Sequence, residues 1–268
     1  MSVKRIFSIL LRQYFLYKSN PIRLISMFLW PFLTILQWGF LTKYLSSLAE
    51  DTFSFITVIL GTVIIYEFMT RIINGIMTTF LEDVWSKNFL NIFSSPIKIE
   101  EYLLGLVLSS IIMGVVNFFI ISLVSSLFFR YNILSFGFIL WILLLNLFLF
   151  GVGLGFFITA VIFRLGPAAE WIGWPLPFIL AVVSGVFYPI STLPKYLQSI
   201  AKILPTTYIF ETMRGIILKN IEFKFVFYNI NISFILSTIF LVINYLFFMK
   251  IYKQNLKSGV IARFSAFE

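Results

Sequence analysis

Long apolar stretches separated by short polar segments dominate the chain. A helix that crosses a bilayer needs about 20 mostly apolar residues, and the chain has six stretches of that kind. The pattern therefore predicts an all-α, polytopic membrane protein with six transmembrane helices, formed by residues 1–268 as a single domain. The predicted spans are about 23–45, 54–80, 102–128, 136–163, 169–189 and 229–250.

The residues before the first span have apolar and basic positions on separate sides of a helix. The apolar face contains Val3, Ile6, Phe7, Leu10, Tyr14 and Tyr17, and the polar face contains Lys4, Arg5, Ser8 and Arg12. A basic amphipathic helix of this kind is typical of the cytoplasmic interface of a bilayer. The alternative is a solvated N-terminal helix.

Composition supports a membrane protein and excludes several kinds of chemistry. Hydrophobic residues make up 60% and charged residues 12% of the chain, whereas soluble domains average about 45–50% and about 25%. The chain has no Cys and no His, which excludes disulfides, thiolate metal sites and imidazole acid–base catalysis. The sequence therefore predicts no catalytic site and no metal site.

Lysine and arginine are concentrated in one set of predicted loops, which predicts the orientation. The predicted cytoplasmic segments hold Lys4, Arg5, Arg12, Lys18, Arg23, Lys87, Lys98, Arg164, Lys250, Lys253, Lys257 and Arg263. The long connection before the last span also carries cations, namely Lys195, Lys202, Arg214, Lys219 and Lys224, which weakens the rule. We predict a cell-membrane protein with both termini in the cytoplasm, and we assign its net charge of +9 to loops rather than to nucleic-acid binding.

Two features lie inside predicted spans. Glu67 and Arg71 are one helical turn apart and can pair; such a pair is either functional or a structural ion pair, and we favour the structural interpretation. Gly151 and Gly155 form a GxxxG pattern, which permits close contact between helices.

The connection between the second and third spans, FLEDVWSKNFLNIFSSPIKIEEYLLG, predicts a short helix on the cytoplasmic surface. Its apolar positions Val84, Phe89 and Phe93 are expected to face the membrane or a partner protein. Its charged positions Glu82, Asp83 and Lys87 are expected to face the cytosol. A generic interfacial helix and a partner-binding helix both fit this pattern.

A second segment, SGVFYPISTLPKYLQSIAKILPTTYIFETMRG, is apolar but does not contain a full span. Its pieces Leu193–Leu204 and Thr206–Leu218 are each about half a span, and prolines separate them. Backbone that is not helical is tolerated within a bilayer only where it packs on protein or faces water. We predict a pair of short helices in the outer leaflet; the alternative is a loop on the external surface.

These motifs, in this order, resemble the type-2 ATP-binding-cassette (ABC) transporter permease family over nearly the whole chain. IFSSPIKIEEYLLG is similar to the family pattern that follows the second span, and the SGVFYP segment is similar to its C-terminal signature. The positions that match this signature are Gly185, Pro189, Pro194, Pro205, Tyr208, Glu211 and Arg214.

The resemblance implies a role for each segment. The stretch from Glu82 to Ser95 would be a coupling helix that docks into a separate ATPase, through Glu82, Asp83, Val84, Trp85, Lys87, Phe89, Phe93 and Ser95. The signature residues listed above would form an external gate. The resemblance also implies two permeases, as a homodimer or a close heterodimer, with two ATPase subunits that bind ATP and Mg²⁺.

The chain itself has no phosphate-loop motif, so it is not expected to be an enzyme or to bind a cofactor by itself. The resemblance implies export of a drug-like molecule, a lipid or a lipid-linked glycan, with membrane lipids as further partners. The alternative function is an ATP-independent lipid pathway, similar to a scramblase, or a membrane assembly scaffold.

Overall fold

The computed structural model describes residues 1–47, 52–218 and 222–258, and these residues form helices joined by short turns. The α-helices are α1 (Val3–Ser19), α2 (Pro21–Ser47), α3 (Thr52–Trp85), α4 (Phe89–Ser94), α5 (Ile99–Phe129), α6 (Phe138–Leu165), α7 (Glu170–Gly173), α8 (Leu176–Val183), α9 (Lys195–Ala201), α10 (Pro205–Ile217) and α11 (Phe223–Ser258). Short 3₁₀ helices cover Ile133–Phe136, Pro167–Ala169 and Ile190–Thr192.

Four helices in the described part of the chain are long and apolar enough to cross a membrane: α3, α5, α6 and α11. They cover the second, third, fourth and sixth predicted spans, so the prediction of a polytopic helical membrane protein is confirmed. The first predicted span, 23–45, coincides with α2, which contains Pro31 and is not one of the four.

The fifth predicted span, 169–189, is not one continuous helix. The helical stretch there is Pro167–Val183, interrupted between α7 and α8 beside Pro175. Pro175 and Pro177 lack the backbone N–H that would donate a helical hydrogen bond, so the sequence predicts a kink at these two prolines, and the interruption confirms it. The helix ends at Val183, because the chain turns at Gly185, where φ is +69°.

The helix α3 lies at the centre of the bundle. In the apolar stretch of α3, 83% of the residues are buried inside the protein, against 22% in the apolar stretch of α11. The helix α3 is therefore surrounded by protein, while α11 lies at the periphery. Ile64, Ile72 and Ile76 of α3 are fully buried. The main neighbours of α3 are α2, α5 and α6, and α11 packs on the far side of α6.

Three glycines of α6 allow it to approach its neighbours on two sides. A Cβ atom at Gly155 would lie 2.8 Å from Cδ1 of Ile76 in α3, and one at Gly153 would lie 3.0 Å from Cα of Leu241 in α11. Gly151 also faces α3. The close contact predicted from the GxxxG pattern is therefore confirmed, and it joins α6 to α3.

The helix ends gather into two groups on opposite sides of the bundle. The group that we call the Asp83 end contains the C-termini of α3, α6 and α11 and the N-terminus of α5. There Tyr102 of α5 contacts Asp83 of α3, and Nδ2 of Asn255 in α11 donates to the carbonyl oxygen of Phe163 in α6 over 2.5 Å.

The opposite group, which we call the Arg214 end, contains the C-terminus of α5, the N-terminal part of α3 and the helix α10. Gly61 of α3 lies against Tyr131 just after α5 and against Met213 of α10. Gly39 of α2 lies against Phe129, the last residue of α5. The C-terminal half of α2 therefore belongs to this end as well.

Candidate functional site

An ion pair fastens the N-terminal helix to the Asp83 end. Nη2 of Arg12 in α1 lies 2.5 Å from Oδ1 of Asp83, and the hydroxyl of Tyr102 donates to Oδ2 of the same carboxylate over 2.7 Å. Asp83 is only 1% exposed. The prediction that Asp83 faces the cytosol is therefore wrong, because a cation and a hydroxyl from two other helices hold its carboxylate inside.

A second carboxylate, that of Glu101 at the start of α5, also binds α1. Its Oε1 accepts the backbone N–H of Ser2 over 2.7 Å, and its Oε2 lies 3.3 Å from Nη1 of Arg5. The backbone N–H of Lys98 donates to Oε2 over 3.0 Å, which caps the N-terminus of α5. Beside this cluster Ile9 packs against Gly105, so α1 is docked on α5 by charge and by packing.

The docking of α1 changes the roles predicted for its two faces. Arg5 and Arg12 of the basic face contact the protein, whereas Val3, Phe7 and Tyr14 of the apolar face are exposed. Tyr17 of the apolar face is buried. The exposed apolar side chains suit a bilayer interface, and that location stays a prediction.

The segment after α3 is a tight turn that aromatic side chains anchor in the core. Val84 and Phe89 are almost completely buried, and the ring of Phe89 stacks on Phe163 of α6 at 5.7 Å and meets Phe80 edge-on at 5.0 Å. The prediction that Val84 and Phe89 face the membrane or a partner is wrong: both side chains anchor the segment in the core. The side chain of Phe93 lies outside the described residues.

The residues of the turn itself project from the Asp83 end. Trp85 is 54% exposed, and Ser86 and Lys87 are exposed beside it. Lys87 has φ of +54°, which reverses the chain between α3 and the six-residue α4. Glu82 is partly exposed, and Ser95 closes α4 by donating its hydroxyl to the carbonyl of Ile92. The exposed surface is therefore smaller than the predicted stretch from Glu82 to Ser95.

A third ion pair organises the Arg214 end. Nη1 of Arg214 lies 2.7 Å from Oε1 of Glu211, and its Nη2 donates to the carbonyl oxygen of Gly185 over 2.7 Å. Oε1 of Glu211 also accepts the backbone N–H of Ile190 over 3.0 Å. The pair thus holds the turn after α8 against α10, and the hydroxyls of Ser184 and Thr206 join the same two segments at 2.6 Å.

The prolines of this end divide it into the predicted pair of short helices, which is confirmed as α9 and α10. Pro194 immediately precedes α9, Pro205 is the first residue of α10, and Pro189 precedes a 3₁₀ turn. The hydroxyl of Tyr208 donates to the carbonyl of Lys202 over 2.9 Å, which closes the turn between the two helices. Their depth in a bilayer stays a prediction.

The ion pair that the sequence predicts, Glu67 and Arg71, lies in the buried middle of α3. The two side chains interact electrostatically, and Tyr17 of α1 contributes to the surroundings of Arg71. Glu67 is 8% exposed. The three sets of predicted residues are thus separate: one lies at each end of the bundle, and Glu67 and Arg71 lie between them.

Sequence reasoning missed three functional contacts, those made by Arg12, Tyr102 and Glu101. Glu101 carries a local signal, because it stands three residues after Lys98 and just beyond Pro96, where a helix is expected to begin. The contacts of Arg12 and Tyr102 with Asp83 have no local signal, because they join three helices.

One comparison with known proteins identifies a family. The sequence model of the ABC-2 type transporter family matches residues 4–218, a range that includes the Arg12–Asp83 pair and the Glu211–Arg214 pair. The match ends at Leu218, before α11 begins. No curated protein matches the chain.

Separating Arg12 from Asp83 is expected to destabilise the protein, because the remaining group would lie buried without its counter-ion. Asp83→Asn and Arg12→Gln are each expected to cost about 2–3 kcal/mol, which lowers the melting temperature in detergent by roughly 4–10 °C. The double variant is expected to lose less than the sum of the single variants. The control combines Arg12→Gln with Lys224→Gln, which is distant and exposed, and the stability losses of these two variants are expected to add. If the losses from Arg12→Gln and Asp83→Asn also add, the pairing of Arg12 with Asp83 is contradicted.

Proposed function

Because the chain belongs to the ABC-2 type transporter family, we propose that it is the transmembrane permease subunit of an ATP-driven exporter. ATP and Mg²⁺ bind to a separate ABC ATPase, of which the working unit contains two copies. A second permease, identical or closely related, completes the transporter. This division of labour suits a chain that has no phosphate-loop motif.

The observation that carries the proposal is the exposed turn at the base of the most buried helix. Trp85 and Lys87 project from the Asp83 end, while the residues on either side of them, Val84 and Phe89, are packed in the core. A partner that moves this turn therefore moves α3 with it. At its other end α3 contacts α10 through Gly61 and Met213, so the same helix joins the proposed ATPase site to the external helices.

The proposed topology places the Asp83 end in the cytoplasm. The chain then crosses the membrane six times, through α2, α3, α5, α6, the interrupted pair α7–α8, and α11. The distribution of cations supports this orientation, because Arg164, Lys250, Lys253 and Lys257 all lie at the Asp83 end. Both termini are then cytoplasmic, in a cell membrane.

The helices α9 and α10 form the proposed external gate. The Glu211–Arg214 pair ties the turn at Gly185 to α10, and α10 in turn packs on α3. Release of this tie would let the α8–α9 turn move away from α10 and open a path outward. In this proposal, the intact contacts of Arg214 with Glu211 and Gly185 correspond to the closed gate of a resting transporter.

The substrate is proposed to be hydrophobic or amphipathic: a drug-like molecule, a lipid or a lipid-linked glycan. Support comes from a shallow groove of about 370 Å³ between α2 and α5. Its lining is apolar and consists of Ile25, Phe28, Leu29, Phe32 and Ile120. A polar solute would lose its hydration there without gaining hydrogen bonds. An apolar group makes no hydrogen bonds with water and would not pay this cost.

We call the exposed turn Trp85–Lys87 the coupling turn. It is tested by the double variant Trp85→Ala, Lys87→Glu. Because an exposed aromatic anchor and a cation are removed, binding of the ATPase is expected to weaken roughly thirtyfold or more, with an unchanged melting temperature. The measurement is the amount of phosphate-loop ATPase that co-purifies with the tagged permease in mild detergent, compared with the wild type.

The matched control is Tyr196→Ala, Lys195→Glu, which makes the same changes at exposed positions of the Arg214 end. This control is expected to retain the ATPase. Equal retention by both double variants would contradict the coupling turn. A wild-type protein that equilibrates lipids in liposomes without any ATPase would favour the ATP-independent pathway instead.

The external gate is tested by Arg214→Lys. A lysine keeps the charge but offers no planar fork that reaches Glu211 and the Gly185 carbonyl together. The variant is expected to be cut several times faster by trypsin at Lys195 and Lys202, and to leak an entrapped amphipathic dye from proteoliposomes without ATP. The exposed Arg130→Lys is the control; a loosened hairpin without any leak would refute the gate.

A further inference from the structure

The peripheral helix α11 has two different faces near its C-terminus. Phe248, Ile251 and Asn255 point into the bundle and are buried. Lys250, Lys253 and Lys257 lie on the opposite side and are exposed. At 3.6 residues per turn these three lysines fall within about 60° of arc, so they form one basic face that is directed away from the bundle.

The neighbouring helix adds a fourth cation to this face. Nη1 of Arg164, near the C-terminus of α6, donates to Oε1 of Gln254 over 2.8 Å. The hydrogen bond from Asn255 to the carbonyl of Phe163 fixes the two helix ends against each other. Gln254 lies among the lysines and, with Leu246 and Met249, lines a surface depression of about 390 Å³.

The same face of α11 becomes apolar as it leaves the lysines. Ile235, Ile239, Val242 and Leu246 are all exposed, and at 3.6 residues per turn they continue the line of the lysines. From Ile235 to Leu246 the strip is about 16 Å long at about 1.5 Å per residue. This length matches one leaflet of a hydrocarbon core that is about 30 Å thick.

We propose that this face binds an anionic phospholipid of the leaflet next to the Asp83 end. The phosphate lies on Lys250, Lys253 and Lys257, with Arg164 beside it, and the acyl chains follow the apolar strip. Charge complementarity selects an anionic headgroup, because lysines close to a bilayer surface attract anionic lipids. The site is separate from the proposed coupling turn, gate and substrate groove.

A lipid fits this surface better than the ATPase subunit does. A cytosolic protein could contact the lysines, but it could not reach the exposed strip from Ile235 to Leu246, which lies within the bilayer in the proposed topology. A two-chain lipid accounts for the headgroup and the strip together, at the distances that the helix imposes. Binding by the ATPase is therefore an outcome for the experiment to exclude.

The experiment compares lipid retention by purified protein in native mass spectrometry. The probes are phosphatidylglycerol and phosphatidylcholine with identical acyl chains. The wild type is expected to retain phosphatidylglycerol preferentially. A triple variant is expected to weaken that retention roughly tenfold or more; it combines Lys250→Gln, Lys253→Gln and Lys257→Gln. Retention of phosphatidylcholine is expected to stay unchanged.

The matched control removes the same charge from the opposite end through Lys195→Gln, Lys202→Gln and Lys224→Gln, all exposed positions. It is expected to retain phosphatidylglycerol as the wild type does. Equal losses in both triple variants would overturn the proposal, as would displacement of the lipid by inorganic phosphate or by glycerophosphoglycerol alone. Loss of the co-purified ATPase with full lipid retention would show that the lysines bind protein instead.

Discussion

Charged groups inside a membrane protein have to be paired, because neither lipid nor packed protein hydrates them. In this chain the main pairings occur where helices end. Asp83 is paired with Arg12, Glu101 with Arg5, and Glu211 with Arg214. The first two pairs join α1 to α3 and α5, and Arg214, which is paired with Glu211 within α10, also binds the Gly185 carbonyl of the turn after α8. The contacts that make burial tolerable therefore also fasten the helix ends to one another.

The helix α3 connects the two fastened ends. Its core-facing isoleucines are enclosed by α5 and α6, and the glycines of α6 let the two helices approach closely. In the proposed permease, α3 would pass a displacement of its projecting turn to α10, which it contacts through Gly61 and Met213. The account of the permease depends on this arrangement. The peripheral α11, by contrast, carries the lysines of the proposed lipid site on its outer face.

Hydrophobic length predicted the four long helices correctly, and the proline positions predicted the division between α9 and α10. Pro175 and Pro177, which lack a backbone N–H, likewise predict a kink in the fifth span, and the helix is interrupted there between α7 and α8; only the end of that span at residue 189 was predicted wrongly. The hydropathy pattern also placed Asp83 in the cytosol, because an amphipathic pattern does not distinguish water from a buried counter-ion. Only the packing of α1 on α3 and α5 reveals that Arg12 and Tyr102 are its partners.

The most direct test of the account is whether its two ends lie on opposite sides of the membrane. The chain has no cysteine, so Ser86→Cys and Ser199→Cys each introduce one thiol at an exposed position, in the coupling turn and in α9. An impermeant maleimide applied to intact cells is predicted to label Ser199→Cys at once and Ser86→Cys only after permeabilisation. Labelling of both variants from the same side would contradict the account.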